Sequence, residues 1–476
     1  MKSVAAIFAC AIALAVNATV IDVTPGSLGG GVTVDRMVTD LTLHGEIDGR
    51  DLQYISSHLR NLRRLDISDI GISAYTGDER IGGNYHSHPA GVLPPYSLAG
   101  ATITEIILPA GITAIGDGAL MSSRLTSVCI PSNVVEIGMG AFADCRELTE
   151  ASVPASVTKS GSHIFKDCPV LAKVAFEASS VPDCAFNNCT ALAEVTFGNE
   201  LEDIGDHAFY ATSIAILNLG NCHRLHSIGA RAFAQCPELA EITLPDGLSE
   251  IGEGVFFGDT KLTGIHLPES LTTLPDMALT GVSASAGSSN LLPRSLESIG
   301  TLALAHITGA RTVVLPSGLT EIGDYAFEGW TSLDSIDATA LHSIPSLGEN
   351  VWLAVEQPEV TLTVPGEMLE AYQESEQWKE FNIVGNSGGT SGNDNVTSDS
   401  DSRVLIRFDG MTLHVMTGTG VTSATLHDLS GIRLASLAPS GATELSIDTS
   451  PWQTQLFILS LTLEPDGKRV ALKIIR

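Results

Sequence analysis

One pattern of about 23 residues recurs through the middle of the chain and limits the folds that it can adopt. The pattern reads L-x-x-I-x-L-P-x-x-V-x-x-I-G-x-x-A-F-x-x-C-x-x and extends from about Ile103 to about Ile344. Successive copies start at the apolar residues Ile103, Leu125, Leu148, Leu171, Leu192, Ile214, Leu239 and Leu262. Such a unit cannot bury its own apolar face, whereas stacked units share a continuous core. The repeat therefore predicts a β-rich solenoid.

Each copy encodes the local structure of one coil. The I-x-L pair has the period of two that is typical of a short strand with one face in the core. The following proline lacks a backbone donor and ends that strand. The I-G pair predicts a second apolar contact and a turn, in which we expect glycine to supply conformational freedom. About ten coils at the ~4.8 Å spacing of paired strands would form a column on the order of 50 Å long.

These residues resemble the leucine-rich repeats of BspA-like proteins, and the flanking segments agree with the resemblance. Leu41–Gly45 and Leu62–Ser68 are similar to the N-terminal cap of that family, and Thr363–Lys379 is similar to its C-terminal closing segment. The resemblance implies a secreted or cell-surface protein that binds other proteins, often host or matrix components. The repeat pattern by itself indicates a solenoid and nothing more.

The chain divides into six predicted segments. Residues 1–18 are expected to be a secretory signal peptide, because Lys2 precedes an apolar stretch too short to cross a bilayer and Val16-Asn17-Ala18 resembles a cleavage site. Residues 19–100 are predicted to form an N-terminal cap, with an amphipathic helix near Asp51–Leu62. The remaining segments are the leucine-rich repeat solenoid at 101–359, a closing segment at 360–384, a flexible linker at 385–402 and a small antiparallel β-sandwich at 403–476.

The last segment resembles the C-terminal sorting domain of the type IX secretion system of Bacteroidota. Asp428-Leu429-Ser430-Gly431 matches its D-x-x-G turn, and Lys473–Arg476 matches its basic terminal strand. Gln455-Leu456-Phe457 stands where the family has G-x-Y, and the usual P-N-P opening is absent. The resemblance implies the secretion machinery as a partner. The strands and turns alone are also compatible with an immunoglobulin-like stalk domain.

The net charge of the chain argues against two classes of partner. The chain carries 25 basic and 55 acidic residues, for a formal net charge of −30. This balance opposes binding to nucleic acids and to anionic membranes, and it favours basic partner surfaces. After the predicted signal peptide, no stretch is long and apolar enough to predict a transmembrane helix.

Cysteines recur at one position of the repeat. Seven cysteines would remain after signal cleavage, and four of them share that position: Cys145, Cys168, Cys189 and Cys236. Other coils have Thr212, Asp259 and Trp330 there. We therefore interpret the four as small buried thiols. Adjacent coils would also bring Cys145 and Cys168 within disulfide reach, so pairing stays an alternative.

Motifs for catalysis or metal binding are weak. His86-Ser87-His88 offers two metal ligands without a third, and its glycine- and proline-rich surroundings favour a solvated loop. Cys184 and Cys189 lack a C-x-x-C or histidine partner pattern. The sequence has no nucleophile elbow, phosphate-binding loop or dinucleotide fingerprint, so we predict neither an enzyme nor a cofactor.

The leading hypothesis is an adhesin-like protein that binds an extracellular or host protein, such as a matrix component. The alternative is a structural or nutrient-capture component of the envelope that binds glycans or partner receptors. Rows of surface aromatic residues would favour glycans, and aromatic residues make up 5% of this chain.

The exposed side of the I-x-L strands is the predicted ligand-binding face. Residues directly before and after the first apolar position of each strand point away from the core. The candidate residues are Glu105, Glu150, Glu194, Glu241, Thr196 and Thr243. This broken acidic column lacks tryptophan and tyrosine anchors and predicts weak, salt-sensitive binding of a basic protein segment. A merely solvated face fits the same residues.

Overall fold

The computed structural model describes residues 18–283, 291–386, 404–409, 412–427, 433–437, 442–449, 456–463 and 468–475. They form two compact units, the first ending at Gly385 and the second beginning at Asn386. The predicted signal peptide up to Asn17, most of the predicted linker and the D-x-x-G turn lie outside the described residues.

The first unit is a solenoid whose coils stack through two rows of strands. The first row, ladder A, contains the I-x-L strands and strands of both caps. Its members are Ala18–Val23, Asp40–Ile47, Arg64–Ile72, Glu105–Ile107, Ser127–Cys129, Glu150–Val153, Lys173–Phe176, Glu194–Phe197, Ile216–Asn218, Glu241–Thr243, Gly264–His266, Thr312–Val314, Ser335–Asp337, Thr361–Pro365 and Asn382–Asn386. The row is divided into four sheets, and within the repeat sheets equivalent positions of successive repeats pair in parallel, as Glu150 does with Ser127 and Lys173. The predicted leucine-rich repeat solenoid is therefore confirmed.

The second row, ladder B, contains two-residue strands at the x-I position before the repeat's glycine. Its members are Val92–Leu93, Ala114–Ile115, Glu136–Ile137, Lys159–Ser160, Ser180–Val181, Asp203–Ile204, Ser227–Ile228, Glu250–Ile251, Thr273–Leu274, Ser298–Ile299, Glu321–Ile322 and Ser346–Leu347. They form three four-stranded sheets, within which neighbouring members pair in parallel. One antiparallel pair, Tyr75–Thr76 with Ser87–His88, belongs to neither ladder.

The glycine of the I-G pair permits close approach between coils, so our expectation that it supplies conformational freedom was wrong. A Cβ atom at Gly229 would lie 2.6 Å from the backbone nitrogen of Asp206, and φ of Gly229 is not in the left-handed region. The left-handed residue comes two positions later and is often not glycine, as at His163, Arg231 and Leu302. Steric exclusion by the preceding coil therefore explains this glycine.

In five of the described coils, an aspartate two residues after the ladder B strand connects the coil to the next. Its Oδ1 accepts a hydrogen bond from the equivalent backbone N–H of the following coil. Oδ1 of Asp117 lies 2.8 Å from the backbone nitrogen of Met139, and Oδ1 of Asp206 lies 2.7 Å from that of Ala230. Asp183, Asp276 and Asp324 make the same bond. Each of these coils thus satisfies a backbone donor of its successor.

Stacked phenylalanines fill the centre of the solenoid. The members of the longest stack are Phe142, Phe165, Phe186, Phe209, Phe233 and Phe256. All are fully buried, and consecutive ring centroids are 5.2–5.9 Å apart. Aromatic pairs at this separation stabilise a core beyond the area they bury.

The N-terminal cap contains the expected amphipathic helix. It spans Gly49–His58 and begins with a capping box between Asp48 and Asp51. Four apolar side chains of the predicted segment are buried: Leu52, Ile55, Leu59 and Leu62. The helix ends earlier than the apolar spacing indicates, because Leu59 already leaves the helical conformation.

At the other end, side chains replace the missing next coil. The closing elements after strand Thr361–Pro365 are the 3-10 helix Gly366–Met368, the α-helix Leu369–Glu374 and the 3-10 helix Trp378–Glu380, and a further 3-10 helix, Gln357–Glu359, precedes that strand. Gln377 accepts a hydrogen bond from the backbone of Val351 at 2.9 Å and donates one to Gly348 at 2.7 Å. Its amide thus satisfies backbone groups that inner coils satisfy with their neighbours.

The second unit is an antiparallel β-fold. Its strands are Val404–Asp409, Thr412–His427, Arg433–Leu437, Ala442–Asp448, Leu456–Leu463 and Lys468–Ile475. The first part of Thr412–His427 pairs with Val404–Asp409 and Ala442–Asp448, and its second part pairs with Arg433–Leu437 and Leu456–Leu463. Buried residues from both parts form one core. The predicted antiparallel fold is present, with one long strand common to both parts and one strand, Ala442–Asp448, that the sequence did not reveal.

Candidate ligand-binding face

Ladder A presents alternate residues to the core and to solvent. In strand Lys173–Phe176, Val174 and Phe176 are fully buried, while Lys173 is exposed and Ala175 is half-buried. The alternation follows from the pleat, since neighbouring residues of a strand point to opposite faces. The outward residues of successive coils therefore form columns along the solenoid.

The six predicted site residues all lie on the outward side of ladder A. Glu194, Thr196, Glu241 and Thr243 are exposed, and Glu105 and Glu150 are half-buried. The pairing register places Glu150, Lys173 and Glu194 on consecutive strands. Glu241 lies between Ile216 and Gly264, and Thr243 lies between Asn218 and His266.

Basic residues compensate much of this acidic column. The Lys173 ammonium lies 2.7 Å from a Glu194 carboxylate oxygen, and the Arg64 guanidinium lies 3.2 Å from Glu105. The hydrogen bond to Glu194 and the charges of Glu194 and Glu150 raise the pKa of Lys173. Exposed pairs of this kind contribute little stability but cancel charge locally. Glu241 has no such neighbour among the ion pairs of the described residues.

One apolar residue interrupts the polar column. Ile216 is 67% exposed and pairs in register with Glu241. Isolated apolar residues are normal on surfaces, and this one places an aliphatic side chain next to the Glu241 carboxylate.

The repeated cysteine position is a buried hydrogen-bonding slot. All seven described cysteines are free thiols. The Cys189 thiol donates to the Phe165 carbonyl oxygen at 3.1 Å, and the Cys236 thiol donates to that of Phe209 at 3.2 Å. Burial raises the pKa of Cys236 to about 12, so it stays protonated. Thiols in this state are poor nucleophiles, which favours a packing role.

Asp259 occupies the same slot and has a different environment. Its side chain is fully buried, and its Oδ1 accepts the backbone N–H of Cys236 at 2.7 Å. Within the described residues, Oδ2 has no hydrogen-bond partner. Burial raises the pKa of Asp259 to about 9, so the carboxyl is neutral at physiological pH.

His88 is part of the N-terminal cap, and our expectation of a solvated loop was wrong for it. His88 is buried, its Nε2 accepts the backbone N–H of Gly49 at 2.9 Å, and its Nδ1 lies 2.9 Å from the carbonyl oxygen of Pro89. The two contacts together are satisfied by a neutral ring protonated at Nδ1. His86 is exposed. The segment therefore fixes the cap rather than presenting two open ligands.

The described part of the chain shows neither a metal-binding cluster nor a membrane-spanning helix. Its histidine, cysteine and acidic side chains form no group of three or more that could hold a metal ion. Its helices include none long and apolar enough to cross a membrane.

Comparisons with known proteins agree with this architecture. A sequence profile described as the BspA type leucine rich repeat region matches residues 92–181, 176–286 and 284–362. No protein among those with curated descriptions matches the chain. The crystal structure of a leucine-rich repeat protein from Bacteroides ovatus is similar at a TM-score of 0.57 and 20% identity, and covers 76% of this chain and 87% of that one.

Two further solved structures match with lower TM-scores. A leucine rich cell surface protein from Faecalibacterium prausnitzii has a TM-score of 0.24 and 20% identity, over 69% of this chain and 88% of that one. The pneumococcal vaccine antigen PcpA has a TM-score of 0.34 and 15% identity, over 77% of this chain and 83% of that one. At 20% identity, the likeness to the Bacteroides ovatus structure supports the fold alone.

Proposed function

The chain belongs to the BspA-type leucine-rich repeat family, and from this premise we propose that it is a secreted or cell-surface protein that binds another protein in an adhesin-like manner. Solenoids of this kind are generally binding scaffolds rather than enzymes, because they present long regular surfaces. The observation that carries the proposal is the outward side of ladder A, which is exposed or half-buried along the repeats from Glu105 to His266.

The ligand is proposed to be a segment with basic and apolar side chains. Glu241 and the partly compensated Glu150 and Glu194 supply negative charge, and Ile216 supplies an apolar contact. The overall charge of −30 attracts such a segment at long range. Without an aromatic anchor, the affinity of one site is expected to be modest and to fall with added salt.

Neutralising the acidic column is expected to weaken this binding. The substitutions Glu150→Gln, Glu194→Gln and Glu241→Gln, made together, remove three carboxylates and leave Lys173 unpaired. Since Lys173 would then repel a basic ligand, we expect about a tenfold loss of affinity. Binding to immobilised fibronectin, laminin and collagen, measured by surface plasmon resonance at low and high salt, tests the prediction.

A matched variant separates this face from overall charge. Glu136→Gln, Glu250→Gln and Glu321→Gln change the net charge equally but lie on ladder B. We expect this variant to keep its ligand. Equal losses in both variants would mean that only the long-range field matters, and no loss in either would place the binding site elsewhere. If none of the three matrix proteins binds the wild-type chain, the matrix-adhesin form of the proposal fails.

For the second unit we propose a role as an export signal that carries no ligand chemistry. The two units have separate cores. A chain that ends at Gly385 is therefore expected to keep the thermal unfolding midpoint of the solenoid and its ligand binding. In the native cell it should accumulate in the periplasm, where fractionation and surface labelling would detect it. Surface display of the shortened chain at the full level would contradict the sorting role and favour a stalk domain.

A further inference from the structure

A small aromatic depression lies at the start of the solenoid, away from the ladder A face. Its lining residues are Gly83, Asn84, Tyr85 and Tyr96, and its volume is about 500 Å³. The rings of Tyr85 and Tyr96 stack with centroids 6.1 Å apart and planes 26° apart. Tyr85 is 38% exposed, so part of this aromatic surface is open to solvent.

The loop that carries Tyr85 is held close to Tyr96 by its glycines. A Cβ atom at Gly82 would lie 2.2 Å from the carbonyl oxygen of Pro95, and φ of Gly82 is +147°. A side chain at Gly82 would therefore push the loop away from Pro95–Tyr96. The Ile81 N–H donates to the Tyr85 carbonyl oxygen and the Tyr85 N–H donates to the Gly82 carbonyl oxygen, which closes the loop, and Ile81 is fully buried. The position of Tyr85 is thus set by packing on both sides.

The position of Tyr96 is fixed by its backbone conformation and by the next coil. It occupies the left-handed position of its coil, with φ of 54°. Its ring covers Gly118 of the next coil, where a Cβ atom would lie 2.4 Å from the ring. Gly118 and Gly140 occupy the same position in the two following coils, so no side chain crowds the ring on that side.

Polar groups border the aromatic surface. The Tyr85 hydroxyl lies 3.5 Å from Oδ2 of Asp117, whose Oδ1 is already bound to the backbone of Met139. Asn84 is exposed beside the two rings. Partial desolvation and the charge of Asp117 raise the pKa of Tyr85, so its hydroxyl keeps its proton. The rim therefore offers an amide, a hydroxyl and a carboxylate oxygen.

From this arrangement we propose that Tyr85, Tyr96, Asn84 and Asp117 form a binding site for a neutral sugar residue. The apolar face of a pyranose packs on a tyrosine ring, while its hydroxyls exchange hydrogen bonds with amide and carboxylate groups. A volume of about 500 Å³ admits one or two sugar rings. The lining contains no cationic side chain, and Asp117 opposes anionic sugars.

The test uses the full-length chain and defined oligosaccharides as probes. Cellohexaose, mannohexaose, maltohexaose and chitohexaose are titrated, with a heparin hexasaccharide as the anionic comparison, and binding is measured by calorimetry and saturation-transfer NMR. We expect at least one neutral probe to bind with a Kd in the high micromolar to millimolar range, and Tyr85→Ala to weaken it by more than about tenfold. Tyr85→Phe should change it by less than about threefold, because the ring stays.

Two variants guard against indirect effects. Tyr96→Gly removes the second ring without backbone strain, since glycine fills this position in other coils, and should also abolish binding. Tyr325→Ala changes the tyrosine at the equivalent position of a distant coil and should leave binding intact. The proposal is overturned if no neutral probe binds, if binding survives Tyr85→Ala, or if a proline-rich peptide binds through Tyr85 instead. None of these outcomes depends on the protein ligand proposed for ladder A.

Discussion

Replacing Asp259 by cysteine is expected to raise the free energy of unfolding at pH 7 by about 3–4 kcal/mol. The folded chain holds this carboxyl neutral, because burial raises the pKa of Asp259 to about 9, whereas an unfolded aspartate has a pKa of about 3.9. Folding at neutral pH therefore requires the uptake of a proton. Cysteine is neutral at this pH and fits the slot, as Cys189 and Cys236 do in other coils.

The pH dependence distinguishes this explanation from better packing. A folded-state pKa above the unfolded value means that the stability contribution is fully present below about pH 4 and is lost as the pH rises towards 9. The advantage of Asp259→Cys over the wild-type chain should therefore be small near pH 4 and grow up to about pH 9. Chemical denaturation of both chains at several pH values measures it. An advantage that does not change with pH would reject the buried-proton explanation.

Replacing Gly229 by alanine is expected to lower the free energy of unfolding by about 3 kcal/mol. The added Cβ would lie 2.6 Å from the backbone nitrogen of Asp206 and 2.7 Å from the carbonyl carbon of Gly205. Backbone atoms cannot rotate away as a side chain can. The two coils must therefore separate, which also strains the bond from the Ala230 N–H to Asp206. Thermal unfolding would show the loss, and hydrogen exchange would locate it between these coils.

Gly111→Ala is the matched control, because its Cβ would meet nothing within 4 Å and its φ is not left-handed. We expect its effect on stability to stay below about 0.5 kcal/mol. Similar losses for both substitutions would indicate that glycine is needed for backbone freedom, as the sequence first suggested. Only a large loss at Gly229 combined with a small one at Gly111 supports the close-approach explanation.

Periodicity made the solenoid and the orientation of ladder A predictable. Alternation within I-x-L assigns Val174 to the core and Lys173 to solvent without any knowledge of the neighbours. The pairing of Lys173 with Glu194 was less evident, because it depends on how the ends of two long side chains meet across coils. The fold could therefore be predicted from the pattern of a single repeat. The charge balance of the ladder A face could not, because it depends on which residues of neighbouring repeats pair with each other.

Other features depend on contacts that sequence distance conceals. His88 is buried because it meets the start of a helix 39 residues earlier, at Gly49. Tyr85 and Tyr96 form one surface because Gly82 lets the loop that carries Tyr85 pack against Tyr96. The low aromatic content of the chain did not indicate this pair. The glycine of the repeat was misjudged since its neighbour in space, the preceding coil, is about one full repeat away in sequence.

In the aspartate bond between coils, the acceptor always lies in the earlier coil and the donor in the later one. This order affects how such chains can lengthen. Each aspartate-bearing coil brings the acceptor that its successor needs, so a coil inserted by recombination directly after one of them finds an acceptor for its backbone donor already in place. Gene duplication in whole repeats would thus extend or shorten the solenoid while the end segments stay unchanged. The exposed area of ladder A can then vary between related chains in steps of one coil, without new packing chemistry.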